Sequence, residues 1–201
     1  MTVNATGAPT LRRRARQLAW ATIAWNVLEA IVAVASGVVA GSIALIGFGV
    51  DSSIEVFAAG VVVWRLRGLD EARERRALRL IGASFFALAA FVTVEAAREL
   101  VAGSDPDTST VGIALAVASL VVMPLLALAK RRTGVALGSQ TVVADARETT
   151  LCAYLSAILL GGLVLNATLG WGWADPVAAL AIAGLAAREG TEAWRGETDC
   201  C

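Results

Sequence analysis

Long apolar runs alternate with short polar stretches along this chain, and the length of each run decides what it becomes. A helix needs about 20 mostly apolar residues to cross the hydrocarbon core of a bilayer. By that measure the first two spans cover about residues 18–39 and 42–66, and the next two about 80–101 and 111–129. The fifth covers about 135–165, longer than a crossing requires, and the sixth runs from Asp175-Pro176 to about 188, with a helical tail to Trp194. The expected fold is therefore an all-α integral membrane protein of six transmembrane helices. A basic N-terminal tail (1–17) precedes the helical domain (18–194), and a short tail (195–201) follows it.

Composition agrees. The chain is 57% hydrophobic and only 17% charged, with a mean hydropathy of +0.70; a soluble domain has about 25% charged residues. Ala, Val, Leu and Ile dominate, and the 19 glycines suit helices that approach closely within a bilayer. The first apolar run is too long for the core of a cleavable signal peptide and lacks a clear small-residue cleavage site. Cys152, Cys200 and Cys201 do not make a disulfide framework.

The net charge is zero, but its distribution is uneven. Arg12 to Arg16, the 65–79 segment, Lys130 to Arg132, and Arg188 with Arg195 hold 15 of the 17 basic residues, leaving Arg98 and Arg147. These groups alternate with connections near Gly41, 105–110 and 169–172 that carry no lysine or arginine. The positive-inside rule then places both termini in the cytoplasm, as an even number of spans requires. Trp20, Trp64 and Trp194 fall near the inner interface, and Trp171 and Trp173 near the outer one. With nearly all arginines flanking apolar segments, no basic face is left for nucleic acid.

Seven ionisable residues lie within or near spans: Glu29, Asp51, Glu55, Glu95, Asp145, Arg147 and Glu148. A charge at mid-membrane costs roughly 2.5–3.5 kcal/mol on insertion scales, so each needs a reason. Six of the seven are acidic, an excess that packing does not need and a cation pathway does. Asp51 and Glu55 are four apart in GVDSSIEVFAAG and share one helix face. Bare carboxylates so close repel each other, and a bridging divalent cation removes the penalty. In VADARETTLCAYL, Asp145, Glu148, Thr149 and Cys152 form a similar stripe. The two spans run in opposite directions and their acids fall at matching depth, so Asp51, Glu55, Glu148 and Cys152 can meet as a four-ligand metal site.

Other readings of these residues stay open. Asp51 and Glu55 could bond serines or an arginine, Glu148 could pair with Arg147, and Cys152 could be a small buried hydrophobe. Asp145 is an inner-interface residue or a gateway acid. Glu29, beside Asn26, could carry protons, hydrogen-bond for packing, or support the ligands from behind; packing is the favoured account. Glu95, Arg98 and Glu99 are spaced for mutual salt bridging.

GSIALIGFGVDSSIEVFAAG resembles the second span of the cation diffusion facilitators, whose ligands follow an H/D-x-x-x-D pattern, and VADARETTLCAYLSAILLGG resembles the span carrying the second such pair. WADPVAALAIAG, the LAKRRTG turn and Asn26 are also similar to the family, and the likeness extends over about residues 18–190. The resemblance implies metal ligation by Asp51, Glu55, Glu148 and Cys152, with Glu at 55 and 148 and Cys at 152 departing from the family pattern. Zinc members usually supply histidine, which this chain lacks. Three carboxylates and a thiolate suit Zn²⁺, Cd²⁺, Fe²⁺ or Co²⁺, and argue against Ca²⁺ and Mg²⁺, which prefer all-oxygen shells. Family members usually add a cytoplasmic metal-binding domain after the sixth span. The present sequence stops about a dozen residues past it at GETDCC, so a homodimer is expected to form through membrane helices. Cys200 and Cys201 read as incidental to a tail or as a soft-metal relay.

The expected function is proton-coupled efflux of a divalent metal across the cell (plasma or inner) membrane, with no permanent cofactor and no enzymatic activity. Metal needs deprotonated ligands and so expels protons; the outward direction comes from the resemblance alone. A channel or uptake carrier would use the same acids without proton exchange. An intramembrane enzyme would have to rely on Cys152 and a carboxylate. A structural subunit would leave the paired acids unexplained.

Overall fold

A computed structural model describes residues 8–40, 43–68, 71–102, 109–169 and 174–196. Among these are six helices and no strand: α1 (Ala8–Ala40), α2 (Ile43–Arg65), α3 (Glu71–Ala102), α4 (Thr110–Leu137), α5 (Gln140–Leu169) and α6 (Ala174–Arg195). Among the described residues, four stretches are long and apolar enough to cross a membrane: Ala8–Ala40, Leu45–Arg65, Glu71–Val101 and Thr110–Leu137. The charged residues of α5 are Asp145, Arg147 and Glu148, and those toward the end of α6 are Arg188, Glu189, Glu192 and Arg195. Trp171, Trp173, Cys200 and Cys201 lie outside the described residues.

Several helices outrun their apolar segments, because hydropathy marks what hydrocarbon accepts and not where the backbone stops bonding. α1 begins at Ala8, with Pro9 in the first turn where its missing N–H costs nothing. Arg12 to Arg16 are thus on the helix and not in a tail before it. α3 begins at Glu71, and Glu71 and Glu74 in its first turn complement the helix dipole.

The largest correction concerns α4. The LAKRRTG segment is helical, and α4 continues to Leu137. The chain turns at Gly138, whose φ of 67° is left-handed and whose N–H bonds back to Gly134 and Val135 carbonyls. Only there does a residue without Cβ stop the helix at little cost. Val135 therefore belongs to α4, and Lys130 to Arg132 are not a connecting loop.

On α1 and α4 burial runs opposite to that of a water-soluble bundle. On α1 the inward residues are Ala15, Ala19, Thr22, Asn26, Glu29, Ala33 and Gly37, while Leu28, Ile31, Val38 and Val39 face outward. On α4 the inward stripe is Gly112, Ala116, Ser119, Met123, Ala127 and Lys130, with Val121, Leu125 and Leu128 outside. Small and polar residues at helical spacing inside, and large aliphatics outside, suit helices surrounded by lipid.

The helices pack most extensively as α1 with α2, α3 with α6, and α4 with α5. α5 also touches α2, α3 and α6, which puts it at the centre of the bundle, and α2 also touches α3. At the α3–α6 crossing, a Cβ on Gly82 would lie 3.0 Å from the Gly190 carbonyl oxygen, and one on Gly190 would lie 3.1 Å from the Phe85 Cβ. At one end of the bundle Glu74 of α3 ties three helices together. It pairs with Arg65 of α2, and it accepts from both the backbone N–H and the hydroxyl of Thr141 on α5, each at 2.8 Å.

Candidate metal centre

The expected ligands lie on two helices that touch, Asp51 and Glu55 on α2 and Glu148 and Cys152 on α5. Asp51, Glu55, Asp145, Glu148 and Cys152 are all at most 4% exposed. The four-residue spacing on each helix puts Asp51 and Glu55 on the inner face of α2, and Glu148 and Cys152 on that of α5. Cys152 lies near both Asp51 and Glu55. Glu148 is close enough to Asp145, Glu55 and Asp51 to be repelled by all three. Ser84 of α3 lies beside Glu148, but its hydroxyl donates to the Ile81 carbonyl at 2.8 Å.

Much of this polarity is unmatched. Asp51 Oδ2, Glu55 Oε2 and both carboxylate oxygens of Glu148 are buried without a hydrogen-bond partner among the described residues. Buried polar atoms nearly always have partners, so four orphaned carboxylate oxygens in one place point to a ligand. As placed, no three carboxylate or thiol side chains among the described residues close on a common point as a metal shell would. Glu55 is instead drawn aside: the Thr149 hydroxyl donates to its Oε1 at 2.6 Å.

Lys130, the chain's one lysine, is the residue that sequence reasoning missed. It is 1% exposed. Its Nζ lies 2.9 Å from Asp145 Oδ2 and 3.9 Å from Glu55 Oε1, and donates to Thr149 Oγ1 at 2.8 Å. Asp145 is accordingly neither an interface residue nor an open gateway but half of a buried ion pair. A usable signal lay in the spacing, since the small residues Gly112, Ala116, Ser119 and Ala127 of α4 continue in register onto Lys130.

The remaining candidates are placed as follows. Glu29 accepts from Ser52 of α2 at 3.1 Å and from Ser119 of α4, and the Trp25 indole donates to Ser119 at 3.4 Å. It cross-links three helices behind the site. Asn26 donates to the Thr22 carbonyl at 3.0 Å, and its Oδ1 is buried without a partner among the described residues. Arg147 does not meet Glu148; it pairs with Glu189 and Glu192 of α6 at 2.7 and 3.0 Å. Arg98 and Glu95 pair at 3.1 Å.

A cavity of about 80 Å³ begins at Asp51 and runs between α2, α3 and α5 past Glu95 to Glu99. On the same measure one water needs about 10–15 Å³, so the space admits a partly hydrated ion. It extends toward the end of the bundle opposite the Glu74 tie.

Residues 80–195 match the cation efflux transmembrane domain family. Glu148 and Cys152 fall inside that match, and Asp51 and Glu55 precede it. The chain is also 25% identical over 142 residues to "Transmembrane protein 163" of Xenopus laevis, covering 69% of this chain and 50% of that protein. It thus spans about half the length of this curated relative. With more than half its length matched, the chain belongs to the cation efflux family, the cation diffusion facilitators, and is an integral membrane protein.

Proposed function

We propose that this transporter moves a divalent transition metal by proton-coupled efflux, holding it between α2 and α5 on Asp51, Glu55, Glu148 and Cys152. The observation that carries this reading is the set of orphaned carboxylate oxygens on Asp51, Glu55 and Glu148, buried together across one helix interface. In a low dielectric these charges repel one another strongly; a cation among them reverses the sign of the interaction. A thiolate with carboxylates suits Zn²⁺, Cd²⁺, Fe²⁺ or Co²⁺ as cargo, in preference to Ca²⁺ or Mg²⁺.

All six helices cross the membrane on this reading, because α5 and α6 pack lengthwise against α4 and α3. The basic ends, including the Arg65–Glu74–Thr141 tie, then face the cytoplasm. The cavity from Asp51 toward Glu99 is the outward route. Access from one side with the other tied shut fits a carrier, which opens to each side in turn, and not an open channel.

Protons enter through the same carboxylates. Metal takes its ligands deprotonated, so binding displaces protons, and protons arriving from outside displace metal. Calorimetric titration of Cd²⁺ or Zn²⁺ into the detergent-solubilised protein, repeated in buffers of different ionisation enthalpy, counts the protons released. Release is expected in the wild type and loss of binding in Asp51→Ala. Binding with no proton released at any working pH would remove the coupling.

A further inference from the structure

Lys130 takes no part in metal ligation, yet it lies against the site. We propose that its ammonium is a tethered stand-in for the transported ion: it holds Glu55 in the metal-free protein, and an arriving metal must take Glu55 away from it. The proposal rests on the metal-site reading above.

An ammonium this deeply buried must be paired, and Asp145 at 2.9 Å alone supplies one full countercharge. The ammonium nevertheless reaches further. It lies 3.9 Å from Glu55 Oε1, and it donates to the Thr149 hydroxyl, which itself donates to that same Glu55 oxygen. Glu55 is therefore held twice by one cation, directly and through Thr149. A divalent ion on Glu55 would sit within a few ångströms of the ammonium and repel it. The flexible four-carbon stem of lysine lets the charge withdraw onto Asp145 and stay paired, which a rigid guanidinium fork does less readily. Every other basic residue of the chain is arginine.

The consequence is a lowered hold on the metal. Metal binding has to break the Lys130–Glu55 interaction, and metal release restores it, so departing cargo does not leave the acids of α2 and α5 wholly bare. Removing the charge should tighten binding and slow release. A purely structural lysine would do the reverse, since its loss strands Asp145 and disturbs Glu55.

The test is Cd²⁺ affinity at one fixed pH, measured on the full chain with Cys200 and Cys201 replaced by serine. Lys130→Met is expected to bind roughly tenfold more tightly or better, the scale of coupling expected between neighbouring charged sites, and to turn over more slowly. Lys130→Met with Asp145→Asn leaves no buried charge unpaired and should also bind more tightly than wild type. Affinity unchanged or weakened in both variants overturns the proposal. Should neither variant fold, the wild type decides: lysine-selective ¹⁵N labelling reports on Lys130 alone, and its side-chain resonance must move when Cd²⁺ binds. A resonance that stays fixed on saturation overturns the proposal equally. Asp51→Asn run alongside separates the two claims. If it binds Cd²⁺ like wild type, the metal-site reading has failed; if it loses binding while Lys130→Met gains nothing, only the tethered role has.

Discussion

A carboxylate oxygen taken into hydrocarbon without a partner is among the costliest groups a membrane protein can carry, and Asp51 Oδ2 and both oxygens of Glu148 are in that position among the described residues. Removing either side chain should relieve repulsion, so Asp51→Ala should fold at least as well as wild type and yet bind no metal. Retained calorimetric binding in that variant would show that the ion sits elsewhere. Cys152 bears on selectivity instead. It is buried near Asp51 and Glu55, and as a thiolate it would be the one soft donor among hard oxygens. Cys152→Asp keeps a negative charge and hardens the position, so Cd²⁺ flux should fall relative to Mn²⁺ while transport continues. An unchanged flux ratio, measured with Cys200 and Cys201 removed, would make Cys152 a packing residue only. These acids were legible in the sequence because their four-residue spacing and their depth need no tertiary information. Lys130 was not. It opens the run Lys130-Arg131-Arg132, which charge counting assigns to a connecting loop, whereas the face of α4 it occupies depends on where that helix ends.

The helices were legible for a different reason. Apolar run length located all six, but it measures the hydrocarbon core, so α1, α3 and α4 extend past their expected bounds into charged turns. Contacts between helices were beyond its reach, since glycines occur throughout the chain and only three dimensions show which ones meet. Gly82 against Gly190 is one that does. A valine at 82 would force α3 and α6 apart, and overpacking of this kind costs typically about 1–3 kcal/mol. Gly82→Val should therefore lower the thermal unfolding temperature in detergent while the folded fraction still binds metal. A melting temperature equal to wild type would show that α3 and α6 approach less closely than described. The Glu74 tie makes a second element of interest, because a carrier must loosen Arg65 and Thr141 from it to open that end.

Across the whole molecule, buried acids of α2 and α5 sit beside an apolar core that includes Ile81, Phe85 and Leu88, and α1 and α4 turn large aliphatics outward. Residues 80–195 place the chain in the cation efflux family; the buried acids bear on how the proposed transport would work. Because metal takes deprotonated carboxylates, apparent metal affinity should rise as pH rises and fall as pH falls, and the slope should flatten when Asp51 or Glu148 is removed. A pH-independent affinity would mean that proton and metal do not share ligands. The most direct measurement is metal flux in proteoliposomes with an imposed pH gradient, using Zn²⁺, Cd²⁺, Fe²⁺, Co²⁺ and Mn²⁺ in turn and comparing wild type with Asp51→Ala. Transition-metal flux driven by the gradient, opposite in direction to proton flow and abolished in Asp51→Ala, is the predicted result. Flux that persists in Asp51→Ala, or that ignores the gradient, would contradict it.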